Sequence, residues 1–412
     1  MKNFFYCAAA AALLVLPACQ SDEPGGGSGS KSQYNPVSLP EGTRSVADSQ
    51  NDFAFKIMSA ADAEGNYIMS PYGAFAILSM LANGANGTER DEILQALGYD
   101  MSDGGMEVLN AYNNFLLTTL PNLDESVAVK IANSIWTLPG TTFQRAFTDN
   151  MLNIYQADTF SENLYTYEAL DKLNSWICDK TDGFIPKCYD QPLETATALF
   201  NVIYFKGEWE NPFSEGATKP DKFHNADGSE VSTPFMHNKD YYGYTEYEGM
   251  QIAELPYGGS NFNFIVVLPS DGTNCREAVN KLSKTSFRAI REDMQTAYGA
   301  PFEVDFAMPK FELTSEHNLI PAIQKLGVKK AFETGLTDIL DNMKLIINIF
   351  KQNAKIVVDE KGTEAAAVTM AGGVIDPGPG EVVNLKLDRP FLYFIVERAT
   401  NTVLFAGAVR SF

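Results

Sequence analysis

Apolar residues fall at helical spacing over Val46–Ala61, where Phe53, Ile57 and Met58 share a face. Ser70-Pro71 then opens an apolar helix to Ala82, with a hydroxyl cap followed by proline at the first helical position. Glu89–Leu97 reads as a short amphipathic helix closed by Gly98. The same spacing predicts helices over Met106–Leu120, Phe143–Tyr155, Tyr167–Asp179, Ala278–Met294 and Leu319–Leu326. Alternation predicts a strand over Val127–Thr137. Thr195–Trp209 is a continuous apolar run, the mark of a central strand covered on both faces. Shorter strands are expected around Phe223, Val231, Pro234–Met236, Gln251–Pro256, Asn261–Leu268 and Phe302–Met308. Leu392–Glu397 and Val403–Gly407 close the chain as buried strands, and Tyr241, Tyr242, Tyr244 and Tyr247 suit a strand surface. No fixed-period repeat occurs.

The stretch Lys355–Gly380 is unlike the rest. Lys355–Val358 is β-branched and apolar, Gly362 is a hinge candidate, and the end is rich in Gly and Pro. Counting by twos from the hinge gives Thr363, Ala365, Ala367, Thr369, Ala371 and Gly373, all small. As a strand, this segment would present one nearly flat face able to slide beneath packed structure. The same residues also suit an Ala-rich helical turn followed by a loop.

Asp359-Glu360-Lys361-Gly362-Thr363-Glu364-Ala365-Ala366-Ala367 resembles the hinge of the serpins, in the form carried by inhibitory members. Two further blocks agree. Asn66–Pro71 resembles the turn that opens the serpins' buried helix, and Asn201 with Phe205-Lys206-Gly207-Glu208-Trp209 resembles their central strand. The resemblance runs from about Val46 to Phe412. It implies an α+β fold of three β-sheets, about eight or nine helices and an exposed reactive loop. It places Tyr167–Asp179 across the main sheet and Trp209 where the loop enters, although Trp209 also suits ordinary core packing. Ser70 and Asn201 match positions that hold the sheet closed. The family commonly has His where this chain has Gln352, and Ser where it has Gly73, so the closing network must differ. Glu360 and Lys310 match a pair bridging the loop entry, which near the surface should contribute only about 0–1 kcal/mol.

The first residues form a leader: Lys2, an apolar run Ala8–Leu16 too short to span a bilayer, then Leu16-Pro17-Ala18-Cys19. That ending resembles a bacterial lipobox, which implies cleavage before Cys19 and its lipidation. An ordinary secretory signal with a chance Cys is the other reading. Asp22-Glu23 after the Cys resembles a surface-export signal, and the Gly/Ser run that follows reads as a tether. The expected organisation is 1–18 signal peptide, 19–44 lipidated Cys and tether, and 45–412 a single domain. The expected location is the outer membrane of a bacterium, at the cell surface, with the lipid as the sole membrane contact.

The chain has 412 residues, 31 basic and 52 acidic, for a net charge of −21. That disfavours nucleic acid as a partner; it reads first as solubility, and is also compatible with steering a cationic protein partner. Cys178, Cys188 and Cys275 remain after the leader, and Cys178 and Cys188 suit either a bridge or free thiols. His224, His237 and His317 fit no nucleophile-elbow or zincin motif and read as surface or capping residues. No metal or cofactor site is expected, and the chain is not read as an enzyme. The resemblance implies a monomeric suicide inhibitor that traps a serine protease as its covalent acyl-enzyme. Counted from Glu360, the resemblance implies a cut bond among Val374, Ile375 and Asp376, which suits an elastase-like protease, a host enzyme among the candidates. The rival reading is a non-inhibitory serpin serving as a surface binding module, and small hinge residues argue against it.

Overall fold

The computed structural model describes residues 34–61, 63–296, 302–363 and 382–412. These belong to one compact unit, Ser32–Phe412. Three sheets form, and among the described residues eight helices run eight residues or longer, as expected.

The six-stranded sheet governs the rest. Its order is Phe311–Asn318, Ile349–Val358, Gly362–Thr363, Thr197–Glu208, Val127–Thr137 and Asp158–Ser161. Thr197–Glu208 is buried on both faces over most of its length, as its unbroken apolar run requires. A nine-stranded sheet contributes much of the main core, including Met250–Tyr257, Phe262–Leu268, Phe391–Glu397 and Val403–Val409. A two-stranded sheet joins Leu336–Leu340 to Met343–Leu345.

The helix Pro71–Asn83 is almost wholly buried. Ser70 Oγ caps it by accepting from Gly73 N, and Pro71 sits at its first position. Gly98 closes Gly87–Leu97 with φ 72°, a conformation glycine adopts without a Cβ penalty. Tyr167–Lys180 covers the six-stranded sheet through a small core of its own, with Leu173, Trp176 and Ile177 meeting Trp136, Phe200 and Val202.

Three expectations need correction. Ala278–Met294 is two helices, Cys275–Leu282 and Phe287–Thr296. The apolar series steps five residues from Leu282 to Phe287, and Ser286 O accepts from Ala289 N and Ile290 N to start the second. Phe143 lies outside its predicted helix, which runs Arg145–Asn153, and bridges to Leu340 instead. Tyr242 and Tyr244 are buried, not on a strand surface. Their strand, Glu230–Tyr247, passes there from pairing with Phe302–Pro309 to pairing with Met250–Tyr257, and Tyr242 packs edge-on against Phe306 as Tyr244 does against Phe302. The three cysteines outside the leader are free thiols.

One buried ion pair ties the second half together. Arg291 Nη2 donates to Glu254 Oε1 at 2.9 Å and Nε to Oε2 at 3.2 Å, with both side chains fully buried. Arg291 also donates to Arg398 O and Asn401 Oδ1, pinning the turn before the last strand. Removing one partner strands the other charge without solvent. Arg291→Met is therefore expected to cost about 3–5 kcal/mol in urea unfolding, and Arg291→Met with Glu254→Leu distinctly less. A single variant no worse than the double would show that the pair does not hold this region.

Candidate functional site

At one end of the six-stranded sheet the two central strands pair directly. Ile349–Asn353 run parallel to Ala198–Val202, residue for residue. At the other end Gly362 and Thr363 lie between them, with Thr363 opposite Val358 on one side and Gly207 on the other. The chain leaves Val358, turns through Asp359–Lys361, and comes back antiparallel to both neighbours.

The turn is specified by Asp359. Its carboxylate accepts from Lys361 N at 2.9 Å and Gly362 N at 3.3 Å, while its own N–H donates to Gly362 O at 3.0 Å. Gly362 has no alternative here, since a Cβ would lie 2.1 Å from Gly207 O. Trp209 reads the turn from below: Nε1 donates to Asp359 O and its backbone N to Lys361 O, both at 2.9 Å. Phe213 N donates to Glu360 O at 2.8 Å. The Trp209 ring is thus core and loop anchor at once.

Glu360 and Lys310 meet as the sequence suggested, with Nζ 2.6 Å from Oε2. The setting is less exposed than expected, because the Glu360 side chain is only 9% accessible. Thr218 Oγ1 donates to its other oxygen at 2.7 Å. Burial alone would raise the Glu360 pKa, but these donors outweigh it and hold the carboxyl below its ordinary value.

Ser70, Asn201 and Gln352 gather at the closed end of the sheet. The Gln352 amide grips the backbone of Ser70, accepting from its N at 2.7 Å and donating to its O at 2.8 Å. Ser70 Oγ donates to Leu404 O at 2.7 Å. Gln352 and Asn201 lie opposite each other on the ladder, yet Asn201 Nδ2 turns away to Asn133 Oδ1 at 2.9 Å. Gly73 explains the geometry, since a Cβ there would sit 1.8 Å from Asn201 Oδ1.

Sequence reasoning missed Asn133, Thr218 and Tyr257. An asparagine inside the apolar alternation of Val127–Thr137 was the one available signal; Thr218 and Tyr257 carried none. His317 is half-buried and bonds Ile68 O at 2.8 Å, and burial lowers its pKa. Glu364, Ala365, Ala366, Ala367, the Val374–Asp376 region and Cys19 lie outside the described residues.

The family model for serpin, serine protease inhibitor, matches residues 48–412. Iripin-2 of Ixodes ricinus is 30% identical over 389 residues, covering 89% of this chain and 93% of its own. Serpin B6 of Macaca fascicularis is 29% identical, covering 89% and 99%. The native state of the thermophilic serpin tengpin superposes with a TM-score of 0.79 at 27% identity, covering 92% of this chain and 97% of its own. A family match across nearly all the described residues thus joins a sheet already parted at the loop entry: the chain belongs to the serpin family, and is a protease inhibitor of the loop-insertion type rather than an enzyme.

Proposed function

We propose that this chain is an irreversible suicide-substrate inhibitor of an elastase-like serine protease, held at a bacterial cell surface by a lipid on Cys19. The observation that carries the inhibitory part is the seat of Gly362–Thr363. If the same antiparallel register continued, the fifth residue on from Thr363 would come opposite Asn353, five back from Val358, and Val202, five back from Gly207. The ninth would come opposite Ile349 and Ala198. Asn353 and Val202 already pair, as do Ile349 and Ala198, so both edges define one register for an entering strand.

Thr363 points at the main core, so Ala365, Ala367, Thr369, Ala371 and Gly373 would follow it on that face. Small side chains there let the segment enter without repacking. The attacking serine of the protease bonds to the carbonyl carbon before the cut and expels the new amino terminus. The freed segment then enters the sheet while the ester persists. From Gly362 to Ile375 it carries the protease about 45 Å, at about 3.3 Å per residue. Such insertion is β-strand addition within one chain.

Val374 or Ile375 before the cut suits a shallow apolar pocket, which supports the elastase-like assignment. The net charge of −21 suits a cationic protease such as that of host phagocytes. The Leu16–Cys19 ending and Asp22-Glu23 support lipidation and surface display.

Incubation with neutrophil elastase is expected to give an SDS-resistant covalent band, and mass spectrometry of the released peptide to place the cut at Val374–Ile375 or Ile375–Asp376. Thr363→Arg should abolish the band while cleavage continues. An unpaired guanidinium in that buried seat costs several kcal/mol, and at about 1.36 kcal/mol per tenfold insertion slows at least about a hundredfold. Cleavage without any band in the wild type would favour the binding-module reading.

Insertion completes a sheet, so the chain nicked between Met370 and Gly380 should melt well above the intact chain. Equal melting would rule out stored strain.

Glu360 sets a pH dependence. Its folded pKa is depressed, so its contribution is full above the ordinary value of 4.5 and is lost as pH falls through the lower folded value. The difference in melting temperature between wild type and Glu360→Gln should therefore shrink as pH drops below 4.5. A constant difference across that range would exclude the carboxylate as an anchor of the turn.

A further inference from the structure

Tyr257 takes no part in the six-stranded ladder, yet its hydroxyl meets that of Thr363 at 2.5 Å. Both residues are buried, at 0% and 1% exposure. Among the described residues neither hydroxyl has another recorded partner. The phenol cannot swing aside. Its ring is stacked on Trp209, with centroids 4.5 Å apart and planes 11° from parallel, and Phe205 and Phe264 pack edge-on against it. A Cβ on Gly207 would lie 3.0 Å from one of its ring carbons, so that glycine keeps the slot open for it. Burial raises the phenol's pKa well above the ordinary value, so it keeps its proton.

We propose that Tyr257 is a positioning residue for the reactive loop: its hydroxyl holds residue 363 between the two central strands before a protease arrives, so insertion begins from a seated first pair. The inference rests on the inhibitor reading above. Two arrangements compete, with residue 363 seated or withdrawn. Withdrawal takes from the phenol hydroxyl the one partner that the described residues give it. A buried hydroxyl bond contributes little when made and costs much when left unmade, so the pair acts chiefly by penalising withdrawal. Seating also fixes the register in advance, which removes ordering entropy from the step that races deacylation. The requirement at position 363 is then narrower than small size: a hydroxyl is needed as well.

Tyr257→Phe and Thr363→Val each delete one hydroxyl with little change of shape, and Thr363→Ser keeps it. With neutrophil elastase, the first two are expected to raise the inhibitor consumed per protease trapped by about threefold to tenfold, and Thr363→Ser by no more than about twofold. Native-state hydrogen exchange over Asp359–Thr363, which needs no protease, should quicken in the first two and not in the third. Should Tyr257→Phe fail to fold, Thr363→Val carries the same comparison. Unchanged exchange, or faster exchange with unchanged stoichiometry, overturns the proposal and leaves the inhibitor reading intact. A wild type that never forms the covalent band sinks the inhibitor reading and with it the kinetic role of Tyr257. The exchange rates then still decide whether Tyr257 seats residue 363.

Discussion

Two neighbouring strands that pair at one end and are held a strand's width apart at the other are the constraint on which this molecule is arranged. Adjacent strands lie about 4.8 Å apart, so Val358 and Gly207, with Thr363 between them, are separated by about twice that distance. A parted pair must be supported from outside. At the open end Trp209, Tyr257 and Phe213 fill the space beneath the wedge. At the closed end each strand is tied away from the other: Gln352 to the start of the helix Pro71–Asn83, and Asn201 to the strand Val127–Thr137. Separating the strands at that level therefore breaks backbone pairs and leaves both side-chain ties in place.

The layer above the sheet fits the same logic. Tyr167–Lys180 packs on a cluster distinct from the main core, so displacing the helix exposes that cluster alone. Its polar contacts run to the edge strand and to the segment that follows it: Trp176 Nε1 donates to Asp158 Oδ2 at 2.7 Å, Lys180 pairs with the same carboxylate at 3.0 Å, and Asn174 bonds the backbone of Cys188 and Tyr189. Moving the helix off the sheet therefore breaks its ties to Asp158 as well as exposing that cluster.

Local backbone chemistry was legible in the sequence, and distant contacts were not. Ser70-Pro71 and Gly98 announced their helix ends because capping depends on adjacent residues. The hinge at Asp359–Thr363 was legible because its turn is made by its own side chain. The unbroken apolar run of Thr197–Glu208 revealed a central strand. The partners that complete the site lie far along the chain: Tyr257 is 106 residues from Thr363, Thr218 is 142 from Glu360, and Asn133 is 68 from Asn201. Nothing in Met250–Tyr257 marks its last residue as different from any other buried tyrosine. The break in Ala278–Met294 was visible only as an irregular step that helical period alone does not penalise.

The contact between Gly73 and Asn201 makes these two positions a single unit of inheritance. With 1.8 Å available to a Cβ, no side chain enters at 73 while Asn201 keeps its rotamer. A lineage could gain a hydroxyl at 73 only by first swinging or shortening the residue at 201, which would also release Asn133 from its recorded bond. A side chain at 73 is thus felt at Asn133 through Asn201, across three separate elements, while the glutamine at 352, bound to Ser70, lies outside that chain of dependence.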